Sequence, residues 1–270
     1  MPYRHAHWFL LLLFPLTGLA FWTNYFSKFA SSPLSFHVHG ITASLWIALL
    51  AFQSWSIDRR RNALHRSVGI ASFALFPLFI AGGLLVIQTM AIKFGPRIDP
   101  FYAAFGARLG LIDVVSSLAI PAMFYMALKW RRKVHVHARY MLAPMLFLLG
   151  PILSRLAPVL PPLRMGGPED LYRFGWCVHL ANAAAIAVAA WLYLKAPKHG
   201  RPFLVAGALI VVQSLLFETL GRVPAWESLF AAMAHIPATL VAGVGIAASA
   251  AVVWAGWTAG QAPPRALAPA

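Results

Sequence analysis

Acidic residues are the scarcest chemical class in this sequence, and charged residues of either sign are few. Only 7 of the 270 residues are Asp or Glu and 22 are Lys or Arg, so charged residues make up 11% of the chain. A soluble domain is normally about one quarter charged. The single cysteine excludes an internal disulfide and a cysteine-based metal cluster. Phosphate-binding loops, nucleophile elbows and zinc-protease helix motifs are also missing, and no catalytic residues are predicted.

Apolar residues dominate what is present. They make up 60% of the chain, and the mean hydropathy is +0.72. A bilayer core is crossed by roughly 20 apolar residues in a helix. Because every backbone group in lipid must be paired internally, a helical bundle is favoured. We therefore predict an all-α, polytopic transmembrane bundle of seven or eight helices, with eight candidate runs at about 8–23, 34–56, 66–92, 108–128, 140–157, 174–194, 203–220 and 228–257.

Basic residues in the loops predict the orientation. With eight spans and the N-terminus inside, 14 of the 22 Lys and Arg residues fall on the inner side, so the positive-inside rule predicts both termini in the cytoplasm of a bacterial inner membrane. Residues 1–257 are predicted to form one transmembrane bundle in the lipid bilayer, and residues 258–270 a disordered, Pro-rich tail. The net charge of +15 suits an anionic leaflet and not nucleic acid, because the basic clusters are short interhelical loops.

One stripe of polar residues runs along the second predicted helix. His39, Trp46 and Gln53 stand at positions i, i+7 and i+14, and such a repeat drifts by only about 20° per heptad on a helix. A polar stripe in lipid is costly. We therefore expect these three side chains to face the interior of the bundle.

The histidines sort into two layers, one near each membrane face. His39 and His179 are predicted in the outer layer, and His65 and His137 in the inner layer. Pairing His39 with His179 and His65 with His137 would give two axial-ligand sets for haem b, since two histidines from bundle helices can hold haem iron. Hydrogen bonds from Gln53 could support such ligands. Arg155, which is 18 residues from His137 on the same helix face, could meet a haem propionate.

A series of short motifs resembles a known membrane-protein family. It comprises H39-G with Q53, L-H65-R66-x-x-G69, H137-x-R139-Y140-M141, and Arg155 later in the same helix. It resembles a bacterial membrane family of unknown function, the domain-of-unknown-function 2306 type, and is distantly similar to the cytochrome b-561 superfamily. The resemblance implies a helical fold with two haem layers. The b-561 proteins carry ligands on four consecutive helices, whereas the run 108–128 has no histidine, so the outer partner would be His179 or His235.

Three functions remain open from the sequence. The first is an electron carrier or quinone-linked reductase that binds haem b and exchanges electrons with a quinone or a redox partner. The second is a non-haem site for copper, zinc or iron on the outer face, formed by His37, His39, His179 and His235 with Glu218 nearby. The third is a metal-free transporter, channel or sensor in which Gln53, Asn182 and Arg155 line a pathway.

Overall fold

The computed structural model describes residue 3 and residues 5–261, which fold almost entirely into helices. The predicted tail from 262 onward lies outside the described residues, and Thr258 and Ala259 still belong to the last helix. The α-helices of the described chain are α1 (Ala6–Ala20), α2 (Leu34–Asp58), α3 (Asn62–Gly69), α4 (Ala71–Phe94), α5 (Pro100–Lys129), α6 (Val134–Leu142), α7 (Leu146–Leu156), α8 (Arg173–Lys195), α9 (Arg201–Glu218), α10 (Pro224–Ala232) and α11 (Ala238–Ala259).

The all-α bundle predicted from the sequence is confirmed. Within the described residues, seven helical segments are long and apolar enough to cross a membrane, because α6 and α7 join into one span, Val134–Val159. The first helix, α1, is shorter at 15 residues. Large apolar side chains also cover the outside of the bundle; Leu118 and Trp254 are 71% and 72% exposed. This is the surface of a multi-pass membrane protein, whose apolar exterior contacts lipid.

Several helix bounds differ from the predicted runs for local reasons. Helix α5 begins eight residues earlier than the run at 108, because Asp99 caps it, accepting hydrogen bonds from the N–H groups of Phe101 (2.9 Å) and Tyr102 (3.4 Å). The last run, 228–257, divides at Ile236 and Pro237 into α10 and α11. His235 therefore lies in a short 3₁₀ turn before α11 and not within a span.

An aromatic cluster holds the middle of the bundle together. Helix α4 packs against α2, α5 and α11. At their centre, the ring of Trp46 from α2 meets Phe76 from α4 at 5.3 Å and Phe124 from α5 at 5.3 Å between centroids. Trp46 is 2% exposed and Phe76 is fully buried. The expectation that Trp46 faces the interior is confirmed.

Small residues set the distance between α11 and its neighbours. A Cβ at Gly245 would lie 3.0 Å from the Cα of Ala81 on α4, and a Cβ at Gly256 would lie 3.0 Å from the Tyr125 carbonyl oxygen on α5. Close helix approach at small residues is common in membranes. We use "inner face" for the end of the bundle that carries Asp58, Lys129 and Lys195, following the predicted orientation, and "outer face" for the opposite end.

We predict that Gly245→Val destabilises the bundle while Gly243→Val does not. The new side chain at 245 would overlap the α4 backbone, and overpacking typically costs about 1–3 kcal/mol. A Cβ at Gly243 meets nothing within 4 Å. Thermal unfolding of the detergent-solubilised variants measures the difference. Equal melting temperatures for the two variants would contradict the close α4–α11 contact.

Candidate functional site

A cavity lies between α2, α4 and α5 in the outer half of the bundle. Its volume is about 100 Å³, and its walls combine one histidine, one aspartate and two serines with apolar side chains and a glycine. The lining residues are His39, Phe79, Ile80, Gly83, Val86, Asp113, Ser116, Ser117 and Ile120. A water molecule occupies roughly 30 Å³ in the liquid. The cavity is therefore large enough for a few waters or a small polar ligand.

Two consecutive glycines of α4 bring His39 to this cavity. A Cβ at Gly82 would lie 3.0 Å from the Cα of His39, so only glycine allows α2 to approach this closely. A Cβ at Gly83 would lie 3.8 Å from His39 Nδ1. The ring of His39 stacks on Phe79 with centroids 5.7 Å apart. Its Nδ1 atom is buried and has no hydrogen-bond partner among the described residues. Buried polar atoms rarely lack a partner, so this nitrogen is an unsatisfied hydrogen-bonding group on a residue that lines the cavity.

Asp113 is the acidic residue of this cavity. It lies near the middle of α5 and lines the cavity that His39 also lines. The guanidinium of Arg155 is close enough for its charge to interact with that of Asp113, and it also interacts with Tyr102. Arg155 donates a hydrogen bond to the Pro151 carbonyl at 2.9 Å, and within the described chain no ion pair shorter than 4.0 Å joins it to Asp113. Asp113 thus lines the cavity without a direct ion pair among the described residues, and the charge of Arg155 acts on it only at longer range.

A serine of this cavity is itself fixed by a neighbouring helix. Gln213 on α9 is 3% exposed and donates hydrogen bonds to Ser116 Oγ at 2.7 Å and to the Ile112 carbonyl at 2.9 Å. Ser116 Oγ in turn donates to the Ile112 carbonyl at 3.1 Å. Gln213 on α9 therefore fixes the position of Ser116, which belongs to the part of the cavity wall that α5 forms.

His179 belongs to a separate ionic cluster at the outer face. Its Nε2 lies 2.8 Å from Glu218 Oε1, and the same oxygen accepts a hydrogen bond from Arg108 at 2.6 Å. Arg222 donates to the other carboxylate oxygen of Glu218. Arg108 also donates to the Phe217 carbonyl at 3.1 Å. Glu218 is therefore paired with both Arg108 and Arg222.

The predicted outer pair, His39 and His179, have no contact residue in common within the part of the chain described. His39 contacts α4 and lines the cavity, whereas His179 contacts α9. Their shared ligation of a haem remains a prediction. The cavity beside His39, at about 100 Å³, is smaller than the roughly 300 Å³ of the smallest ordinary ligand pockets.

The predicted inner residues lie together at the inner face. The charges of His65 and His137 interact, and His137 Nδ1 bonds to the Ala127 carbonyl at 2.8 Å. The Gln53 amide satisfies both backbone groups around it when it donates to the His65 carbonyl and accepts from the Gly69 N–H, each at 3.0 Å. In that orientation it also donates to His65 Nδ1. The expectation that Gln53 faces inward is confirmed.

This arrangement bears on haem ligation at the inner face. Metal-ligating histidines usually donate their second ring N–H to an oxygen, which leaves the other nitrogen free for the metal. His137 has that arrangement. In the Gln53 orientation described above, Nδ1 of His65 accepts from Gln53, and the neutral ring then carries its proton on Nε2. Burial lowers the pKa of His65, and the charge of Arg66 lowers it further, which favours the neutral ring.

The predicted outer metal ligands occupy different environments. His37 Nδ1 bonds to the Tyr25 hydroxyl at 2.8 Å, and His235 lies in the turn before α11. Among the described residues, no group of three metal-ligating side chains forms from His37, His39, His179 and His235, and the outer metal site remains a prediction.

Asn182, predicted to line a pathway, is 5% exposed and donates to Ser214 Oγ at 2.8 Å.

We predict that Glu218→Gln destabilises the protein more than Glu227→Gln. Glu218 compensates Arg108, which is only 9% exposed, and a buried charge that loses its partner costs roughly 1–3 kcal/mol. The Arg97–Glu227 pair is more exposed, 46% and 33% by side chain, and surface pairs contribute about 0–1 kcal/mol. Melting temperatures in detergent compare the two variants. An equal decrease would contradict a stabilising role for the outer ionic cluster.

This chain was compared with protein families, curated proteins and solved structures. No protein-family model matches this chain, and neither a curated protein nor a solved structure is significantly similar to it.

Proposed function

We propose that this multi-pass membrane protein takes up and releases a proton at the cavity formed by His39 and Asp113, as a metal-free transporter does. The observation that carries the proposal is that two titratable side chains, from α2 and α5, line one small and mostly apolar cavity within the membrane-spanning bundle, together with two serines. Ionisable groups inside membrane proteins commonly belong to ion pathways and proton relays.

The two groups are complementary in charge. A proton bound by Asp113 neutralises a carboxylate, and a proton bound by His39 creates a cation. His39 offers an unpaired Nδ1, whereas Asp113 has the guanidinium of Arg155 nearby to stabilise its anion. Serine hydroxyls can donate and accept hydrogen bonds, so Ser116 and Ser117 suit a water chain between the two groups. This set of residues supports proton exchange through cavity water.

We expect infrared difference spectra between near-neutral and alkaline pH, a range in which ordinary exposed carboxylates stay ionised, to contain the carbonyl band of a protonated carboxylic acid, and Asp113→Asn to remove that band. The reason is that Asp113 lies in a small, partly apolar cavity, where loss of charge reduces the desolvation penalty. The same variant in liposomes that contain a pH-sensitive dye should slow proton entry driven by a membrane potential.

The control is Asp99→Asn on the same helix. Asp99 is exposed and caps α5, and Asn caps helices about as well as Asp, so both readouts should match the unmodified protein. A carboxylic-acid band that survives in Asp113→Asn, with proton entry as fast as in the unmodified protein, would exclude this site.

Haem-linked electron transfer is a second hypothesis. It is motivated by the sequence, and an absorption spectrum tests it. We expect the purified protein to have no Soret band, because Nε2 of His179 is engaged by Glu218 and Nδ1 of His65 is engaged by Gln53. The measurement is an absorption spectrum before and after dithionite, on protein expressed with a haem precursor. A Soret band that shifts on reduction and is lost in His137→Ala would contradict the metal-free proposal and favour electron transfer.

A further inference from the structure

Two histidines near the N-terminus lie close to Asp58 at the end of α2, which is the only acidic residue at the inner face among the residues described. One ligand atom from each of His5, His7 and Asp58 can be chosen so that all three lie within 4.8 Å of one another. Helices α1 and α2 are packed neighbours, so the start of the first meets the end of the second. His5 and His7 sit two positions apart and would point in different directions on a regular helix. His5 precedes α1 with φ −103° and ψ 23°, which lets both rings approach Asp58.

His7 carries a second, independent observation. It is 5% exposed, and its Nδ1 atom is buried with no hydrogen-bond partner among the described residues. Because buried polar atoms usually have a partner, this nitrogen suggests a bound group that forms a hydrogen bond or a coordination bond with it. A metal ion is such an occupant, because a neutral imidazole nitrogen is one of the commonest metal ligands in proteins.

We propose that His5, His7 and Asp58 bind a divalent transition-metal ion at the inner face. Two imidazoles and one carboxylate are a ligand set of zinc enzymes and of non-haem iron sites, in which water takes the remaining positions. Asp58 also has another interaction within the chain. A carboxylate has two oxygens and about four lone-pair sites, so one oxygen can serve the ion. The site differs from the outer metal site predicted from the sequence.

The ion would fasten a short helix to the bundle. Helix α1 has 15 residues, about 22 Å in length, which is less than the roughly 30 Å hydrocarbon core. A metal bridge from its first turn to the last residue of α2 would fix its inner end. Metal binding should therefore stabilise the folded protein by mass action.

The test uses Zn²⁺ and the full chain carrying a histidine-free C-terminal tag, after removal of metal with a chelator. We expect calorimetry to give one Zn²⁺ per chain, and we expect Zn²⁺ to raise the melting temperature. His7→Ala and Asp58→Asn should each weaken binding by at least about tenfold, the lower bound for losing even an outer-shell partner. Since His7 is buried and its replacement can disturb folding, His5→Gln provides a second variant. His5 is exposed, so this change removes a ligand and leaves the packing of α1 intact.

The matched control is a second histidine pair at the same face. The rings of His135 and His199 stack with centroids 5.7 Å apart, and they belong to no group of three ligands in the described chain. The double variant His135→Ala, His199→Ala should bind Zn²⁺ as the unmodified protein does. Absence of Zn²⁺ binding by the unmodified protein would overturn the proposal. So would binding that survives in His5→Gln but is lost in the control variant.

Discussion

The contact between α2 and α4 at Gly82 is the constraint on which the site depends. A side chain at that position would collide with the backbone of His39, so the two helices can be this close only because the residue is glycine. Their closeness stacks His39 on Phe79 and leaves its Nδ1 buried without a hydrogen-bond partner among the described residues. The nearby glycine of α11, Gly245, allows a third helix to approach α4 from another side. Close packing around α4 and an open cavity beside it are thus produced by the same small residues.

The scarcity of acidic residues makes the position of each one informative. Glu218 compensates two arginines and is hydrogen-bonded to His179 at the outer face. Asp113 faces a cavity and interacts with an arginine at longer range. Asp58 stands beside two histidines at the inner face. In a chain with 22 basic residues, carboxylates placed inside or against the bundle indicate where balanced charge is needed.

Much of the fold could be predicted from the sequence, because the charge-poor runs reflect the thickness of a bilayer. Where the helices differ from the predicted runs, the cause is local. The run that starts at 108 missed the beginning of α5, since Arg108 looks like a boundary in the sequence but is paired with Glu218 in the structure. The run 203–220 looked short, although the segment Arg201–Arg222 is long enough to span. Neither helix boundary can be read from the sequence, because a charged residue marks the end of a run unless the residue that pairs with it is known.

The site was less predictable. The stripe of His39, Trp46 and Gln53 follows from helix periodicity alone, and all three side chains face inward. The neighbour of His39 could not be predicted, because the rotation and vertical offset of two helices are set by contacts far apart in the sequence. The cluster at the inner face did leave a signal: the spacing of His5 and His7, and a lone inner aspartate, Asp58.

The aromatic cluster also divides the bundle along its length. Trp46 stacks on Phe79 with their rings within 1° of parallel, and Phe79 stacks on His39. Phe76 and Phe124 pack 4.2 Å apart between centroids, and both contact the same tryptophan. Because aromatic ring faces offer water few hydrogen-bond partners, the cluster forms an apolar layer between the cavity beside His39 and the polar residues around Gln53 and His65 at the inner face.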